Sequence, residues 1–185
     1  MEKYEHMDRI LQFIEDMKKH QADLPDTPDH ILVVLKGHLL VEQEINCLLE
    51  AKLPNPGALK LRDDYRSPKF IHKVRLLEAL IPKPEPVKLW VITEKLNTLR
   101  NKFAHKLSPK DIAKKIDKFT DDVEQAFAAT KVANVMKKAM KQAMEENAME
   151  KAPKMGQRQR IQTSIFFVWH RLMVLTLETS EAACI

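Results

Sequence analysis

The sequence predicts an all-α fold, an up-and-down antiparallel bundle of five or six helices. Three observations predict it. Only three glycines and 6% aromatic residues stand against abundant Leu, Lys, Ala, Glu and Met, a composition that suits helices and not sheets. Apolar residues return at three- and four-residue steps through most of the 185 residues. Short proline-marked breaks separate these runs, and short connections favour antiparallel neighbours. With 44% hydrophobic residues the chain can bury a sizeable core.

Residues 2 to about 20 place Tyr4, Met7, Ile10, Leu11, Phe13, Ile14 and Met17 on one face of an amphipathic helix. Asp23-Leu24-Pro25-Asp26-Thr27-Pro28 then breaks the chain, with Thr27 as the expected cap and Pro28 as the first helical residue. A long helix is expected from 28 to about 53. Ile31, Val34, Leu35, His38, Val41, Ile45, Leu48 and Leu49 share its face, and Leu32, Val33, Leu39 and Leu40 widen it. So broad a face predicts a central helix covered on more than one side. Pro54-Asn55-Pro56-Gly57 stops it, and 58–66 reads as irregular chain or a short turn.

Ser67-Pro68 opens the next helix, with Phe70, Ile71, Val74, Leu77, Leu80 and Ile81 expected inward. Pro82-Lys83-Pro84-Glu85-Pro86 closes it. A fourth helix, about 86 to 105, carries Leu89, Ile92, Leu96, Leu99 and Phe103 as its seam. Ser108-Pro109-Lys110-Asp111 reads as a cap followed by an acid in the first turn, opening a helix with Ile112, Ile116, Phe119, Val123 and Phe127.

Beyond 130 the texture changes. Residues 131–160 hold eight Lys/Arg and three Glu, a local charge of +5, with five of the nine methionines. This stretch either continues the preceding helix or forms a separate basic amphipathic one. It suits RNA phosphates, a Met-lined partner surface or plain solvation. A last apolar helix is expected over about 158–179. The chain therefore divides into a helical bundle, 1–130, and a basic, Met-rich extension with the last apolar helix, 131–185.

The net charge of +5 is mildly basic and compatible with a polyanionic partner. Cys47 and Cys184 form neither a disulfide framework nor a metal cluster, which favours a reducing compartment. The first residues carry no apolar signal segment, and the apolar run 161–177 is interrupted by His170 and Arg171. The expected location is cytoplasmic, with no membrane partner.

Polar chemistry concentrates in Leu96-Asn97-Thr98-Leu99-Arg100-Asn101-Lys102-Phe103-Ala104-His105. Asn97, Asn101 and His105 recur every four residues and share a stripe. Arg100 lies about 100° before Asn101, at the margin between stripe and apolar seam. This set suits phosphodiester chemistry. An imidazole takes a proton from a ribose 2′-hydroxyl or returns one to a leaving oxygen, and a guanidinium holds the phosphate and its developing charge. No carboxylate cluster accompanies them, so neither metal nor cofactor is required. The same spacing also fits cap and surface groups at a helix end. Glu42 and Glu44 on the long helix could approach this cleft, although solvated or core-margin carboxylates fit them more simply. His38 on the apolar face reads as a satisfied core histidine, and Trp90 and Trp169 as core or interface residues.

Arg100-Asn101-Lys102-Phe103-Ala104-His105 resembles the signature of the HEPN superfamily: an Arg, a polar residue, three further residues and a His, late in a helical bundle. Leu35 to Glu42 and Pro68 to Lys73 also resemble bacterial members, and the likeness covers about residues 28–128. It implies a HEPN-like bundle and a metal-independent endoribonuclease that works on RNA as a homodimer, its paired motifs forming a composite cleft. Many such proteins are toxins or defence effectors with a cognate antitoxin. The resemblance implies phosphate binding for Arg100, a helper role for Asn101 and acid/base work for His105. Leu107 stands where one toxin branch has Tyr. Phe103-Ala104 is similar to the mannitol operon repressor family, whose members are viewed as regulators acting through protein contacts. That likeness implies the alternative, a non-catalytic regulator.

Overall fold

The computed structural model describes residues 15, 18, 19, 22–24, 29–63, 65–84, 86, 88–103, 109–128, 130 and 156–182. The fold is an all-α helical bundle. Its described α-helices are α1 (His30–Lys52), α2 (Phe70–Leu80), α3 (Leu89–Phe103), α4 (Pro109–Phe127) and α5 (Gln157–Ala182), with a 3-10 turn at Pro56–Leu59. No described helix is long and apolar enough to cross a membrane. The expected N-terminal helix falls mostly outside the described residues, and so does the basic segment up to 155.

The long helix starts later than its sequence suggests. Asp29 is the cap, and its carboxylate accepts from the amides of Ile31 and Leu32 at 2.9 and 3.4 Å. An Asx cap two residues before the first apolar residue satisfies orphan amides directly. Thr27 and Pro28 lie outside the described residues. α2 likewise begins at Phe70, with Lys69 in the cap position and no capping side chain. Leu80 is exposed and not inward, because it sits in the last turn, where the chain bends toward Pro82.

The predicted face of α1 is covered: Val34, Val41, Ile45, Leu48 and Leu49 have no exposed surface. Val33 is also buried, but Leu32 and Leu39 are exposed, Leu39 at 60%. These two residues lie seven apart on a strip of α1 shared with the exposed Lys36. Neighbouring helices cover α1 on two sides and leave that strip open.

Pairwise contacts set the helix directions. Between α2 and α3, Ile81 meets Trp90 and Arg75 meets Glu94, an antiparallel hairpin. Lys95 on α3 meets Asp122 on α4 at 2.6 Å, again antiparallel across a short connection. Between α1 and α5, Gly37 touches Ile165 and Glu44 accepts from Thr176, so both helices run the same way. α4 and α5 also progress in one sense, from Gln157–Ala113 to Arg160–Glu124. Short connectors give antiparallel neighbours, and the longer intervals between α1 and α2 and between α4 and α5 let the chain return. α5 shares the main core, with Ile161, Ile165, Phe166, Val168 and Leu172 buried beside residues of α1, α3 and α4.

Candidate functional site at the end of α3

The last turn of α3 exists because Leu96, Leu99 and Phe103 recur at helical spacing and are all buried. Burying that seam leaves Arg100, Asn101 and Lys102 exposed. Arg100 and Lys102 add favourable charge at the negative end of the helix dipole. The Arg100 guanidinium donates through Nη1 to Asn101 Oδ1 at 3.0 Å. The cleft-edge Arg and its amide neighbour are therefore paired in solvent. His105 lies outside the described residues, together with 104 and 106–108.

Asn97 departs from the expected solvent stripe. It is half-buried, and its Oδ1 accepts from Nε2 of His38 across the α1–α3 contact at 3.1 Å. That bond places the proton of the neutral ring on Nε2. Asn97 and Asn101, four apart, do not share an environment, because α1 covers the N-terminal part of the stripe and leaves Asn101 exposed.

His38 is the satisfied core histidine that the pattern suggested, 4% exposed, with its ring 4.3 Å from that of Phe70. Nδ1 lies 4.0 Å from Glu42 Oε2, and Glu42 Oε1 accepts from Lys73 Nζ at 3.0 Å. Burial pushes the imidazole below its usual 6.5, ahead of opposing contributions from Glu42 and Asn97 and further lowering by Arg100 and Lys73. Arg100 is thus close enough for its charge to act on the ring. A continuous polar seam, Lys73–Glu42–His38–Asn97, lies under the exposed end of α3.

Lys73 is the residue that sequence reasoning missed. Its side chain is 3% exposed, in a position that alternates helically with Phe70, Val74 and Leu77. The one available signal was that spacing, since three residues after Phe70 is an inward position. Charged residues are placed outside by default, and a lysine is buried only when paired.

The other candidates separate clearly. Glu44 faces α5 and not the α3 end, accepting from Thr176 at 2.8 Å, and burial raises its carboxyl above the ordinary value. Trp90 is a core residue whose indole donates to the Ile81 carbonyl at 3.0 Å. Trp169 packs against the core beside Phe166. Cys47 is half-buried, with its thiol pushed up by burial, and Cys184 lies outside the described residues.

A cleft of about 600 Å³ opens on the opposite side of the Glu42–Lys73 pair, between α1, the connector and the start of α2. No family model, curated protein or solved structure matches this chain.

Proposed function

We propose that the chain is a metal-independent endoribonuclease of HEPN type, a toxin or defence effector acting as a homodimer whose facing motifs make one composite site. The observation that carries this reading is the exposed Arg100 guanidinium, oriented by Asn101 at the end of a helix whose opposite side is locked into the core. In the proposed reaction Arg100 binds the scissile phosphate and stabilises its developing charge. His105 takes the proton of the ribose 2′-hydroxyl. The 2′-oxygen attacks phosphorus, the bond to the 5′-oxygen breaks, and that oxygen leaves with a proton taken from water, while His105 returns its own proton to solvent. The products are a 2′,3′-cyclic phosphate and a free 5′-hydroxyl.

The test is cleavage of RNA by purified protein in EDTA, with wild type compared to Arg100→Ala and His105→Ala. Cyclic phosphate ends formed by wild type alone support the reading. Equal cleavage by His105→Ala sinks the role of His105.

A second reading, a regulator acting through protein contacts, is favoured by Asn97. Its amide is committed to His38, so part of the stripe serves the packing of α1 on α3. Growth of a bacterial host expressing wild type or His105→Ala separates the two readings. Arrest by wild type alone speaks for the nuclease, and identical growth for the regulator.

A further inference from the structure

From Ile31 to Glu50, the exposed residues of α1 are Leu32, Lys36, Leu39 and Gln43 and no others. Their steps of four, three and four residues are those of a seam along which a second helix packs. Leu35 and Leu40 flank this seam, are half-buried and widen its apolar part. Leu39 is 60% and Leu32 45% exposed, although every other aliphatic residue of α1 is buried or half-buried. A single exposed leucine is ordinary on a protein surface. Two of them seven residues apart, with apolar flanks, form a stripe at the spacing of a helix contact. The stripe runs into the cleft of about 600 Å³, where Leu39 and Gln43 of α1 face Pro68 and Lys69 at the start of α2.

Charge says what covers it. The acids that border the stripe and the cleft are engaged: Glu42 accepts from Lys73, Glu50 from Arg62 and Asp63 from Arg66. Lys36 in the seam and Lys69 on the cleft wall are exposed and form no ion pair among the described residues. The face therefore presents leucines together with uncompensated positive charge. A second copy of the chain matches it poorly. The seam holds no acid, so two α1 stripes laid together set Lys36 against leucine, glutamine or another lysine. A helix with leucine-sized residues at its own seam positions and acids beside them supplies both the apolar cover and the counter-charge.

We infer that the open stripe of α1 is a docking surface for an acidic amphipathic helix of another protein. The apolar residues of that helix interleave with Leu32 and Leu39, and its carboxylates meet Lys36 and Lys69. The docked helix lies along α1 and reaches the mouth of the cleft at Leu39. The surface uses none of Arg100, Asn101 and His105, so its failure leaves the reading of the α3 end untouched, and the reverse holds as well.

Fluorescence anisotropy of labelled three-heptad helical peptides against the full chain tests it, at peptide concentrations below their own self-association. The peptides carry leucine at heptad positions a and d and differ only in the flanking positions, which are all Glu, all Lys or all Gln. The expected result is saturable binding of the Glu peptide, about tenfold or more tighter than that of the other two. Lys36→Glu and Leu39→Ser should each weaken it about tenfold. The double variant Lys36→Glu/Lys69→Glu should prefer the Lys peptide. Val91→Ser, which removes a similarly exposed apolar side chain from α3, should bind as wild type does. Equal binding of the three peptides, binding of none, or equal loss in Val91→Ser overturns the proposal. Sedimentation that shows wild-type dimers dissociated by Leu39→Ser assigns the stripe to a second copy and overturns it too. So does Lys36-dependent binding of anionic vesicles or RNA in place of the Glu peptide. Circular dichroism verifies that these variants, all at exposed positions, keep the helical fold.

Discussion

The two sides of α1 are held by different physics. Toward α5 the helix presents Gly37, and a Cβ built there would lie 2.6 Å from Cδ1 and 2.8 Å from Cγ2 of Ile165. That seam is a close approach of backbone and branched apolar side chain, and it owes its strength to fit. Toward α2 and α3 the same helix presents His38 and Glu42, and the contact runs through Lys73, Asn97 and the Phe70 ring. That seam owes its strength to paired polar groups, and it is the one that lies beneath Arg100 and beside the cleft. The contrast teaches where this chain tolerates change. The dry seam fails when volume changes, and the polar seam fails when a partner or a proton changes.

The largest break should come from the dry side. Ile165→Ala removes a fully buried side chain that packs on Gly37 of α1, and should lower unfolding free energy by about 3 kcal/mol in a denaturant titration. Gly37→Ala should cost about 2 kcal/mol by overpacking. In the double variant the two losses should fall short of their sum, since the smaller residue makes room for the new methyl. On the polar side, Lys73→Ala leaves Glu42 without its partner. Glu42 is 28% exposed and regains water, so the expected loss is smaller, about 1.5 kcal/mol.

Acidity should sharpen the contrast, because His38 is kept neutral in the fold. Its lowered folded-state value means that stability is complete above 6.5. Stability is then lost as pH falls from there through the lower value of the folded ring. Thermal melts across this range should show a decline that is reduced in His38→Gln. The smallest effect should be that of Arg100→Ala. An exposed side chain paired with an exposed neighbour should change stability by no more than about 0.5 kcal/mol, and a larger loss measured by melting would favour a structural role for Arg100.

Helical periodicity made the bundle legible, since the predicted seam of α3 and four of the five predicted positions of α4 are buried, Ile112 only partly, although Thr93 and Thr120 are buried as well. Helix starts were less legible. Thr27-Pro28 and Ser67-Pro68 both look like starts, yet α1 begins one residue past Asp29 and α2 begins at Phe70. Several residues near a break can cap, and the backbone uses the one that the packing of the first turn allows. At the candidate site, Arg100 and Asn101 are exposed as their spacing implied. The inward turn of Asn97 depended on α1 crossing α3 at His38, which is a long-range fact. Lys73 was hidden for the same reason, since the carboxylate that makes its burial tolerable is 31 residues away.

Arg160 gathers Asp117, Asp121 and Glu124 of α4 at 3.7, 2.6 and 2.9 Å. Those acids form a ladder with rungs four and three residues apart. A ladder with one rung per turn attracts the cation almost equally well if the helix slides by a turn. It therefore holds α4 against α5 without telling it where to stop. Alignment is left to contacts that do not repeat along the helix, such as the buried Phe127 ring stacked on Phe167 of α5 at 5.2 Å. Docking and alignment are thus separate tasks in this pair of helices, the first done by interchangeable charges and the second by shapes that cannot be exchanged.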